Sequence, residues 1–82
     1  MNQIFVIKVK GHKAKERNKW EYLTESSTIF SSPDINDSFF YKGSFAPLGA
    51  AKDIRTLKAA YPNYDFKVVE VEQITVIREK QC

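Results

Sequence analysis

The residues able to do chemistry in this 82-residue chain are few and scattered. Histidine occurs once, at His12, and cysteine once, at Cys82. No Cys-His pair, Ser-His-Asp arrangement or His-rich metal site can be assembled from them. Glu70 and Glu72 lie two apart, which on a strand puts both carboxylates on one face. Alternating acids are equally the solvated side of a strand, and nothing nearby supplies an acid-base partner. Gly43 and Gly49 flank a helix start but lack the lysine of a P-loop and the glycine spacing of a dinucleotide fold. Asn36-Asp37-Ser38 matches the glycosylation triplet without a secretion signal to support it. A non-enzymatic protein is expected, with no cofactor and no metal.

Binding chemistry is better represented. Residues 1–19 carry Lys8, Lys10, Lys13, Lys15, Arg17 and Lys19 against Glu16 alone, whereas the rest of the chain holds seven basic and nine acidic side chains. Nearly all the excess positive charge therefore sits in one corner, next to Trp20 and Tyr22. Lysines meet phosphates and aromatic rings stack on bases, so the segment suits a nucleic acid or an acidic protein surface. The alternative is a solvated hairpin loop whose lysines keep the domain soluble. A second group, Phe39, Phe40, Tyr41 and Phe45, divides between core and surface. Neighbours in an extended segment point to opposite sides, so Phe39 and Phe40 cannot both be core, and an exposed aromatic is a preferred interface anchor.

The elements that position these residues follow from period and punctuation. Asn2 to Lys10 alternates as a first strand, with Phe5, Ile7 and Val9 on one side and Ile4, Val6, Lys8 and Lys10 on the other. Gly11 to Asn18 is a polar hairpin loop. Lys19 to Glu25 is a second strand, antiparallel to the first, with Trp20, Tyr22 and Thr24 on one face and Leu23 on the other. Ser26 to Phe30 continues it or begins a short third strand, until Ser31-Ser32-Pro33-Asp34 stops the ladder. Asp34 to Tyr41 fits a helical turn from Asp34 or an edge strand over Phe39 to Lys42. Leu48, Ala51, Ile54, Leu57 and Tyr61 recur at intervals of three and four. They form the buried stripe of a helix opened by Ser44 or Ala46 with Pro47, and closed by Pro62.

Asp65 to Glu79, "DFKVVEVEQITVIRE", has no glycine, proline or asparagine to turn it. It reads as one long strand bent near Glu72-Gln73, where the apolar positions change parity. The fold expected is α+β: an antiparallel sheet of three to four strands with one helix on one face, in a single domain over residues 1–82. The longest apolar run, Ile4 to Ile7, is far too short to cross a bilayer, and one terminal cysteine fits a reducing cytoplasm. An exposed edge strand permits a weak dimer as well as a monomer.

In layout the chain resembles short accessory proteins encoded by bacteriophages. The residues that carry the likeness are "FVIKV", "KWEYLTE", "SSPDIND", the helix "LGAAKDIRTLKAAYP" and "YDFKVVEVE". Some proteins of that size and plan inhibit bacterial defence complexes, anti-CRISPR proteins among them. The resemblance implies a non-enzymatic inhibitor that occupies a surface of a host protein or nucleoprotein complex, and it carries over no individual residue. The expected contacts are Lys8, Lys10, Lys13, Lys15, Arg17, Lys19, Trp20, Phe39, Phe40 and Tyr41. The rival expectation is direct nucleic-acid binding through the hairpin of residues 8–19.

Overall fold

The computed structural model describes residues 3–11, 19–73 and 76–80. Within them the chain runs β1 (Ile4–Lys10), β2 (Trp20–Leu23), β3 (Ser31–Ser32), a 3-10 turn (Ile35–Asp37), β4 (Tyr41–Lys42), α1 (Ala46–Ala60), β5 (Asp65–Gln73) and β6 (Ile77–Glu79). The class is α+β, as expected. The strands form one antiparallel sheet in the order β3-β2-β1-β5-β6, with β4 also paired to β1.

Six strands stand where three to four are expected, and two local causes account for the difference. The serines that should stop the second strand pair with it, Tyr22 opposite Ser32 and Leu23 opposite Ser31. The chain bends between Glu25 and Thr28, and the loop is closed by the Thr24 amide donating to the Phe30 carbonyl. The extra strand therefore falls just after the β-favouring Thr28-Ile29-Phe30 rather than on it. The second cause lies at the C-terminal end, where the single long strand is corrected to a hairpin: β6 folds back on β5 with Gln73 opposite Ile77 and Glu72 opposite Arg78. The parity change in the sequence marks this reversal. No glycine was needed, and Glu72 and Arg78 reinforce the pairing with an ion pair of 3.0 Å.

Between Asp34 and Tyr41 both alternatives form. Asp34 caps the 3-10 turn by accepting from the Asn36 amide, and the edge strand follows at Tyr41–Lys42. Gly43 then turns the chain into α1 at φ +101°, donating to the Gln3 carbonyl and accepting from the Ala46 amide. A Cβ there would meet nothing within 4 Å, so Gly43→Ala suffers only from its backbone conformation. It is expected to lose about 1–2 kcal/mol. An unchanged thermal midpoint would rule out this turn geometry.

Helix α1 lies over β1, β5 and β4. Pro47 sits in its first turn as expected, but Phe45 holds the cap position and no side chain caps the end. The buried stripe is Ala46, Ala50 and Leu57, with Ile54 packed beside them. Leu48 is 66% exposed and Ala51 also faces solvent, so the expected stripe is rotated at its N-terminal end. Small alanines face the sheet there because β4 and the turn at Gly43 bring the helix start close to β1. The core gathers Ile7, Val9, Leu23, Ala50 and Leu57, bordered by Tyr41, Tyr61, Tyr64, Phe66 and Val68.

Candidate functional site

Register divides the sheet into two faces. Ile7 and Val9 stand opposite Val68 and Phe66, which places all four on the helix side. Lys8 stands opposite both Tyr22 and Lys67, and Lys10 opposite Trp20 and Asp65, on the face turned away from the helix. Alternation in three adjacent strands thus collects Trp20, Tyr22, Lys8, Lys10 and Lys67 on one surface. Val6 and Val71, buried on this same side, anchor its other end, where Phe40 shares a shallow cleft with Ile4, Val71 and Ile77.

Two charge arrangements occupy the face. In the first, the Glu79 carboxylate accepts from the Lys8 ammonium at 2.9 Å and from the Tyr22 hydroxyl at 2.5 Å, tying β6 across the curled sheet to β1 and β2. These two hydrogen bonds hold the Glu79 carboxyl below its ordinary range. Burial, and then the bond to Glu79, push the Tyr22 phenol up to about 12, so it stays a proton donor across neutral pH. Lys8 is therefore spoken for, its side chain only 14% exposed.

In the second arrangement, the Lys67 ammonium lies 4.4 Å and the Lys10 ammonium 5.1 Å from the centre of the Trp20 ring. Neither ammonium has a carboxylate within 4.0 Å among the described residues. Asp65, beside Lys10 in register, is itself approached by Lys58 at 3.8 Å. Lys19 does not extend the patch: it pairs with Glu21 at 3.6 Å and lines a cleft with Val9 and Tyr64 on the helix side. What this arrangement can do is attract an anion and offer it an indole.

The expected contact residues thus fall into separate places. Lys8, Lys10 and Trp20 share one face and Lys19 lies on the other, beside Glu21; Lys13, Lys15 and Arg17 lie outside the described residues, as do His12 and Cys82. Phe39 and Tyr41 do not join Lys8, Lys10 and Trp20, whereas Phe40 lies at the far end of the same face, beside Ile4, Val71 and Ile77. Tyr41 stands opposite Phe5 on the helix side, where its hydroxyl donates to Asp53 at 2.5 Å and clamps β4 to α1. Burial, seconded by that bond, keeps its phenol far above the usual range. Phe39 packs edge-on against the Tyr41 ring and is partly exposed, whereas Phe40 points to the opposite side of the sheet. The most open apolar pair is instead Phe45, 78% exposed, with Leu48 at the start of α1.

Sequence reasoning missed Lys67 and the role of Glu79. The parity of Lys67, between Phe66 and Val68, shows that it shares a face with Asp65 and Val69, but its place beside Lys8 follows only from the pairing of β5 with β1. Glu79 could not be placed either, because its position depends on the hairpin. The triplet Asn36-Asp37-Ser38 is poorly placed for modification, since Ser38 is only 8% exposed and its amide donates to the Ile35 carbonyl. Glu70 and Glu72 are engaged by Lys80 and Arg78.

Fold and face together define a small α+β fold with one helix-covered side and an opposite side that is cationic and aromatic at the Trp20 end and buried around Val6 and Val71. Comparison of the chain with protein-family models, with curated proteins and with solved structures finds no match in any of the three.

Proposed function

We propose that this chain is a non-enzymatic binding protein that docks the open face of its sheet on a phosphate-bearing partner, a nucleic acid or a nucleoprotein complex. The observation that supports this most directly is the pair of ammoniums on Trp20, Lys10 and Lys67, neither of which has a carboxylate within 4.0 Å among the described residues, Lys67 acting on Glu79 only at longer range. A lysine whose role is to stabilise the fold ordinarily finds an acid, as Lys8 finds Glu79. The basic residues that separate β1 from β2 in the sequence add to the long-range attraction for a phosphate-bearing partner. Occupying such a partner's surface is how a phage-type inhibitor of a host nucleoprotein complex would act. The exposed Phe45 and Leu48 offer such a complex an apolar contact besides the cationic one.

The test is a salt titration of binding to random-sequence single and double strands, followed by fluorescence anisotropy. Binding should weaken steeply as salt rises, because each phosphate contact releases counterions. Lys10→Ala combined with Lys67→Ala should flatten the logarithmic salt slope on single strands by about 1.4. Absence of binding to any strand at low salt overturns the proposal.

A further inference from the structure

The second inference rests on the binding face just proposed and concerns what Trp20 does there. We infer that the open face takes a single strand of nucleic acid, with one base stacked on the Trp20 indole and the flanking phosphates held by Lys10 and Lys67. Three features of the geometry carry this. Trp20 is partly buried, so its position is fixed by the sheet, and its ring is overlaid by the two ammoniums rather than by packed carbon. The cations over it come from two other strands, Lys10 from β1 and Lys67 from β5, on flexible stems that converge on the one ring. Tyr22, the other aromatic of the face, is already occupied by Glu79 and by the Lys8 ammonium 5.1 Å from its ring centre, which leaves Trp20 as the stacking surface.

Relative magnitudes decide whether a base can displace the lysines from the ring. Each exposed cation–π contact is worth roughly two- to fivefold in an equilibrium constant, so the two together about four- to 25-fold, and a stacked base roughly five- to 150-fold. The displaced ammoniums keep their favourable interaction, because they swing on flexible stems to the phosphates on either side of the stacked base. A duplex cannot make this exchange, since the π faces of its bases are already stacked on one another. The face accordingly distinguishes single strands from double strands without reading sequence.

Trp20 is the only tryptophan in the chain, so its intrinsic fluorescence reports the contact directly. Adding a single-stranded oligothymidylate of about 12 nucleotides should quench that emission, while a duplex of the same length should bind more weakly and leave it nearly unchanged. Trp20→Ala should weaken single-strand binding about five- to 150-fold, and Trp20→Tyr should restore most of the loss. If Trp20→Ala does not fold, the quenching of the unaltered protein still decides. Equal binding of single and double strands with no quenching overturns this inference and leaves the phosphate-binding proposal standing. Failure of both strands to bind at low salt removes both.

Discussion

Leu57→Ala should lower the stability of this protein by about 2–5 kcal/mol, enough to take more than about 10 °C off the melting midpoint of a domain this small. Leu57 is among the largest fully buried side chains, and it fills the space between α1 and the Ile7, Val9 and Leu23 side chains of the sheet. Its carbonyl also accepts the amide of Tyr61, which closes the helix. Removing three carbons here leaves a cavity that neither the sheet nor the helix end can collapse into without breaking that closure. Leu48→Ala is the matched control. The same substitution nine residues earlier in the helix, at an exposed leucine, should change stability by no more than about 0.5 kcal/mol. Thermal or urea melts of the two variants settle which leucine faces the sheet; a larger loss for Leu48→Ala would reverse the rotation of the helix described above.

The second large effect belongs to Glu79. Glu79→Ala leaves the Lys8 ammonium without its counter-ion and the Tyr22 hydroxyl without its acceptor, on a part of the sheet where both are largely covered. The Glu79 side chain is itself 36% exposed, so solvent screens much of the loss, and about 1–2 kcal/mol is expected. The pH dependence has a definite sign. Because the folded-state pKa of Glu79 lies below its unfolded value, its stabilisation is complete above that unfolded value, near 4.5. It is lost as pH falls through the folded value. Tyr22 acts at the other limit: its contribution is present below pH 10 and disappears as pH rises toward about 12. Urea midpoints of the natural protein and of Glu79→Gln should therefore differ at pH 7 and converge in acid. A difference that persisted at pH 2 would mean that the carboxylate charge is not what holds β6 to β1 and β2.

Much of the fold can be read from period alone. The alternation of Ile4 to Lys10 sets both faces of β1, and with them the division between core valines and isoleucines and outward lysines. Trp20, Tyr22 and Leu23 sort correctly for the same reason. Failures occur where a tertiary contact overrides local preference. Ser31 and Ser32 carry no strand signal of their own and are recruited by the free edge of β2. The reversal after Gln73 lacks the usual turn residues, because cross-strand pairs such as Glu72 with Arg78 supply the stabilisation that turn chemistry otherwise provides. Leu48 follows the helical period and still faces water, because periodicity identifies a stripe without saying where along it the sheet ends. Of the candidate site, Lys10 and Trp20 were legible as neighbours from one antiparallel pairing. Lys67 required knowing that β5 lies on the other side of β1, which no local pattern states.

That last pairing also sets the order in which the chain can fold. β1 is the centre of the sheet, yet its longest partner is β5, with Ile4 opposite Val71 and Lys10 opposite Asp65. The contacts that hold the middle of the molecule therefore join the first and last thirds of the sequence, and closing so large a loop slows folding. During synthesis β1 emerges with only the short β2 and β4 available to it. Its apolar residues remain without their principal partners until β5 has left the ribosome. Lys8 and Lys10 keep the end of that waiting segment charged, so two lysines that lie on the helix-free face of the finished sheet also guard the nascent strand against aggregation.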